Sequence, residues 1–108
     1  MTTEHELKEE QETITIHVHF LGATQRDVGM RNLTTDIESL SNLKDLLLNL
    51  ANKIGVEFQK FVFDPNANDL NENIAILVNG RHFNTLDGLE TPLKTGDDVS
   101  FFPPIGGG

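Results

Sequence analysis

The chain has 108 residues, 37% of them hydrophobic, with seven Phe and no Tyr, Trp or Cys. That is room for one domain with a small core, and it excludes a disulfide framework, a thiolate nucleophile and a cysteine zinc site. Seventeen acidic against eight basic side chains give a net charge of −9, which disfavours nucleic acid and anionic membrane surfaces and suits a basic protein partner.

Residues 1–12 hold five glutamates against one lysine, a net charge of −4, with Leu7 as the only large aliphatic after Met1. Such a segment buries too little to offset its ordering entropy and reads as a disordered acidic tail. Met1 to Glu6 lacks the basic start and apolar stretch of a secretory signal. No stretch approaches the roughly 18 consecutive apolar residues of a spanning helix. The expected location is cytoplasmic.

From Thr13 to Phe20 polar and apolar residues alternate, which predicts a half-buried strand with Ile14, Ile16, Val18 and Phe20 inward. Gly22 and Gly29 bracket a turn region, and Asn32 to Glu38 predicts a second strand with Leu33, Thr35 and Ile37 on one face. Ser41 then reads as the N-cap of the main helix. Leu43, Leu46, Leu47, Leu50, Ala51 and Ile54 form its apolar stripe, and Gly55 ends it in a left-handed position.

Residues 56–73 are less periodic: Phe58, Phe61, Val62 and Phe63 belong to something packed, and Asp64 to Asp69 is a turn-rich loop. Ile74 to Val78 is a continuous apolar run, read either as a strand covered on both faces or as one carrying a contact patch. Asn79-Gly80 makes a tight turn, Arg81 to Asn84 a short returning element, and Leu86 to Leu89 a turn or short helical piece. After the turn at Thr95-Gly96-Asp97, Asp98 to Phe102 is the last strand. The expected core is Ile14, Ile16, Val18, Leu43, Leu46, Leu47, Leu50, Ile54, Ile76, Val78 and Phe101.

One main helix between two hairpin-like groups predicts an α+β fold, a mixed sheet wrapped around that helix, which is the β-grasp or ubiquitin-like architecture. The expected domain covers residues 13–105, with a flexible glycine tail at 106–108.

Enzyme templates fail: there is no phosphate loop and no Gly-x-Ser-x-Gly elbow. His17 and His19 share a strand face but lack a third ligand of obvious type, so no metal site is expected. Asp97-Asp98 reads as a turn and strand start rather than a working carboxylate pair. The unusual feature is the end, Phe101-Phe102-Pro103-Pro104-Ile105-Gly106-Gly107-Gly108. Prolines stop strand pairing, and three glycines leave a terminal carboxylate on a thread without side chains. Alone, those glycines fit a frayed terminus or cloning remnant as well as a reacting tail.

Leu93 to Gly108, with its Gly-Asp turn, apolar strand, two prolines and closing glycines, resembles the C-terminus of the MoaD/ThiS sulfur-carrier family. Its molybdopterin synthase small subunits and archaeal small modifier proteins are the most similar branches. The likeness extends through Ile76-Leu77-Val78-Asn79-Gly80-Arg81, the helix, Phe20, Leu21 and Asp27-Val28-Gly29. The acidic segment before Thr13 and the stretch from Phe58 to Asn73 are longer than the minimal family pattern.

The resemblance implies that the chain binds no cofactor and has no catalytic residues of its own. A ubiquitin-activating-type adenylating enzyme, using ATP and magnesium, would activate the Gly108 carboxylate, with Gly107 and Gly106 as its tether. Sulfur transfer would make a thiocarboxylate for molybdopterin synthesis beside the synthase large subunit. The same adenylate could instead join the chain to lysines of target proteins. A third reading, a β-grasp binding module with incidental glycines, stays open. If Phe101 packs inward, Phe102 lies on the outer sheet face, with Leu21 and His82 as neighbours by the family pattern. That patch reads equally as a docking surface or as ordinary edge packing.

Overall fold

A computed structural model of the chain describes residues 13–64, 69–71 and 74–103. The acidic segment 1–12, much of the turn-rich loop, and Gly106, Gly107 and Gly108 lie outside the described residues. Strands β1 (Thr13–Phe20) and β2 (Asn32–Glu38) are antiparallel partners, Thr13 facing Glu38 and His19 facing Asn32. The last strand of the chain, β7 (Asp98–Phe102), lies parallel to β1 on its other side. Strands β5 (Ala75–Val78) and β6 (Arg81–His82) complete a mixed five-stranded sheet in the order β2-β1-β7-β5-β6. Strands β3 (Phe63–Asp64) and β4 (Asp69–Leu70) form a separate two-stranded ladder.

The apolar stripe of the main helix, α2 (Leu43–Ile54), packs on the inner face of the sheet. Leu43, Leu46, Leu47 and Leu50 are buried together with Ile16, Val18, Phe20, Ile76, Val78, Val99 and Phe101. Each surface has only one apolar side to cover, so the helix must face the sheet's alternating strands. The fold is a β-grasp. Of the expected core, Ile14 and Ile54 are only half-buried, because each lies at the end of its element.

The local corrections have specific causes. The region between Gly22 and Gly29 holds a short helix, α1 (Thr24–Val28), rather than only a turn. Asn42, not Ser41, is the N-cap of α2. Its Oδ1 accepts from the Asp45 N–H at 2.9 Å while Asp45 Oδ2 accepts from the Asn42 N–H at 3.0 Å, a reciprocal capping box. Gly55 ends α2 at φ 100°, ψ −153°, which is not the left-handed helical conformation, because a third helix, α3 (Val56–Val62), begins on the next residue. Helix α3 buries Phe58, Phe61 and Val62.

Asn79 and Gly80 both have positive φ, 52° and 84°, the geometry of a two-residue hairpin turn between β5 and β6. Strand β5 starts at Ala75, one residue later than the apolar run, and β6 stops at His82, where a 3₁₀ turn over Phe83–Thr85 begins. Among the described residues no helix is long and apolar enough to cross a membrane.

Candidate functional site

The last strand, β7, lies between β1 and β5 rather than at an edge of the sheet. Its penultimate residue anchors it. Phe101 is fully buried, stacks on Phe20 at 5.4 Å between ring centroids, and meets Phe58 and Phe61 edge-on at 5.6 and 6.1 Å. Offset and edge-on pairs of this kind add to the burial of the rings themselves.

The backbone is tied as well. The Leu21 N–H donates to the Phe101 carbonyl at 3.0 Å. The buried Thr24 hydroxyl donates chiefly to the Leu21 carbonyl at 2.6 Å, with the Phe101 carbonyl at 3.3 Å. Half-buried Pro103 rests over Gly22, where a Cβ would stand 3.4 Å from Pro103 Cγ. Gly22 also has φ +62°, so glycine serves both the turn and the close approach. The segment that precedes Pro104-Ile105-Gly106-Gly107-Gly108 is therefore fixed.

Beside this root lies the outer face of the sheet, and the register brings the sequence candidates onto it. Phe102 faces Ala75, Leu77 faces His82, and Leu21 continues β1 beside Phe102. Leu21, Ala75, Leu77, His82 and Phe102 are all half-buried. They make an apolar end to an otherwise polar face that carries Thr15, His17, His19, Asp98 and Ser100. His82 is held from two sides: its Nδ1 accepts from the Asn84 N–H at 3.1 Å, and its ring stacks on Phe83 at 5.2 Å.

Sequence reading missed Ala75 and Leu77 as members of this face, although the run from Ile74 to Val78 was their signal. Their half-exposure answers the choice left by that run, in favour of a strand with one uncovered face. For Gly22 the sequence signalled only a turn, and for Thr24 nothing, since their contacts with Pro103 and Phe101 reach to the other end of the chain.

The remaining candidates have structural partners. Asp97 is buried, accepting from the Lys94 N–H at 2.7 Å and from Asn79 Nδ2 at 3.0 Å. It locks the turn that leads into β7. His19 Nε2 lies 2.9 Å from Asp98 Oδ1, and His17 Nδ1 lies 3.4 Å from Thr34 Oγ1. Among the described residues no group of three potential metal ligands forms.

The ThiS family profile matches residues 18–108, from the middle of β1 to the last glycine. A protein of Archaeoglobus fulgidus named as a sulfur carrier is 32% identical over 81 residues, covering 75% of this chain and 89% of its own. The solution structure of small archaeal modifier protein 1 from Methanosarcina acetivorans superimposes with a TM-score of 0.73 at 26% identity, covering 89% of this chain and 98% of that one. A Helicobacter pylori complex of subunits 1 and 2 of molybdopterin-converting factor gives 0.56 at 28% identity, covering 88% and 100%. Fold, tail root and family profile coincide on one terminus: the chain belongs to the ThiS family, the MoaD/ThiS type of ubiquitin-like protein.

Proposed function

We propose that this chain is a sulfur carrier, acted on by an enzyme rather than acting as one, whose reacting group is the Gly108 carboxylate. A carboxylate oxygen attacks the α-phosphorus of ATP on a ubiquitin-activating-type enzyme, with magnesium balancing the phosphate charge, and pyrophosphate leaves. Hydrosulfide then attacks the acyl carbon, AMP leaves and a proton is released, so a chain without Cys carries sulfur as a thiocarboxylate. Gly106 and Gly107 form the slender tether that a narrow channel admits. The activating enzyme docks on Leu21, Ala75, Leu77, His82 and Phe102, beside the tail it must receive. The sulfur then serves molybdopterin synthesis, with the synthase large subunit seated on the same face.

The observation that carries this reading is the fixed root. Burial of Phe101 and the seat of Pro103 on Gly22 fix the chain up to Pro103, beside a patch of half-buried apolar side chains. A partner that covers the patch receives the tail in one direction.

A second reading has its own support in the likeness to a small archaeal modifier protein. In it the same adenylate is passed to lysines of target proteins as an isopeptide bond. Intact-mass analysis of the cellular protein separates the two. The carrier reading expects one terminal oxygen replaced by sulfur at Gly108. The modifier reading expects higher-mass conjugates, with C-terminal glycine remnants on lysines, that vanish when Gly108 is deleted. Full function without Gly108 would sink both and leave a β-grasp binding module.

A further inference from the structure

Three large hydrophobic side chains stand exposed among the described residues, and two of them, Leu40 and Leu48, line one recess. The recess, of about 460 Å³, lies between the end of β2 and the outer side of α2. Leu40 is 95% exposed and has φ 68°, in the left-handed region that side chains other than Gly, Asn and Asp rarely enter. The other described non-glycine residue with positive φ is Asn79, whose hairpin turn accounts for it. Leu40 has no such account: glycine or asparagine would make the bend with less strain, and its side chain buries almost nothing. The bend itself is held firmly. Ser41 accepts the Leu93 N–H at 3.0 Å, the Leu43 N–H donates to Thr91 at 2.9 Å, and Asn42 bridges to Pro92. Leu40 is thus presented on a fixed platform, with little ordering left to do on contact.

The rim supplies the second half of the argument. Asp36, Glu38 and Asp45 line the recess, and among the described residues neither lysine nor arginine does. Asp36 accepts from the Thr15 hydroxyl and Asp45 from the Asn42 N–H, which fixes these carboxylates without neutralising them.

We infer that this recess is a second docking surface, for a protein partner that presents an apolar socket for Leu40 flanked by lysine or arginine. Charge argues against the two nearest alternatives. Residues 1–12 run into Thr13 at the recess but carry a net charge of −4, and a second copy would set carboxylates against carboxylates. The position gives the surface its use. Thr13 and Glu38 pair at the end of β1 opposite Phe20 and the tail root, about 23 Å away along an eight-residue strand. A partner bound here leaves Leu77, Phe102 and Pro103 uncovered, so it holds the protein while Gly108 reacts. The surface serves either fate of Gly108.

The test titrates the full-length, ¹⁵N-labelled chain with a synthetic amphipathic peptide of leucine and lysine, following amide shifts by NMR. Shifts should centre on residues 38–48, weaken with salt, and be absent for a peptide with glutamate in place of lysine. Leu40→Gly should weaken binding at least tenfold. Because glycine suits φ 68°, this variant should melt no lower than the parent, so misfolding does not explain its loss. Leu48→Ser should weaken binding while leaving the fold intact. Absence of binding, shifts centred on the outer sheet face, or affinity unchanged by Leu40→Gly would overturn the inference. So would movement of the Leu40 amide on deleting residues 1–12, which would make that segment the occupant. Self-association in sedimentation that Leu40→Gly abolishes would make it a second copy.

Discussion

The hydroxyl of Thr24 is a small group that ties the end of β1 to the end of β7. It is buried and bonds the carbonyl of Leu21, within reach of the carbonyl of Phe101, a residue 77 positions away. Thr24→Val keeps the shape and removes the donor. The Leu21 carbonyl retains the Thr24 N–H at 3.3 Å, so the loss should be about 1 kcal/mol in urea denaturation, near the middle of the range for one hydrogen bond. Gly22→Val should cost more, about 1–3 kcal/mol. It forces a β-branched residue to φ +62° and sets a Cβ 3.4 Å from the ring of Pro103. Its distinguishing signature is a shift of the Phe102 amide, because displaced Pro103 turns the root. A Gly22→Val protein as stable as the parent would show that the turn relaxes without strain.

At the scale of elements, what was legible followed the strength of the period. β1 alternates over eight residues and α2 repeats over twelve, and the structure places both where the pattern does. Leu47 is 1% exposed between α2 and the sheet, so Leu47→Ala should cost about 2–5 kcal/mol as a cavity. Helix α1 has five residues and α3 seven, too few turns for a period to stand out. Even so, Phe58, Phe61 and Val62 do have helical spacing, a signal hidden by the Gly55 boundary. The cap was a contest between neighbours. Ser41 and Asn42 are both good cap residues, but only Asn42 has an acidic residue three positions on, Asp45, to return the bond. Asn42→Ala should therefore lower stability by about 1 kcal/mol, measured by thermal or urea unfolding.

For the whole molecule, the tail sequence and the sheet face call for separable tests, because one concerns chemistry and the other encounter. Which residues surround Phe102 was only partly legible: a single sequence shows alternation within a strand, but the register that sets Ala75 opposite Phe102 is a contact between strands. Leu77 is half-buried on that outer face, so Leu77→Asp should leave the melting temperature within a few degrees of the parent. It should raise the KM of the activating enzyme for the carrier at least tenfold with kcat little changed, since it sets a charge against a desolvated contact. Deleting Gly107 and Gly108 should also leave the melting temperature nearly unchanged, because neither residue has a side chain to bury and, among the described residues, the buried cluster ends at Phe101. Its kinetic effect should be different in kind: no adenylate forms at any carrier concentration, as read by ATP–pyrophosphate exchange. Gly107→Val should fall between, with kcat reduced, because a branched side chain stiffens and widens the thread where it must pass closest to the enzyme. If Leu77→Asp instead lowered kcat alone, the face would act after docking. If the truncated chain were adenylated as fast as the full one, the fixed root at Phe101 and Pro103 would have no reacting group to aim.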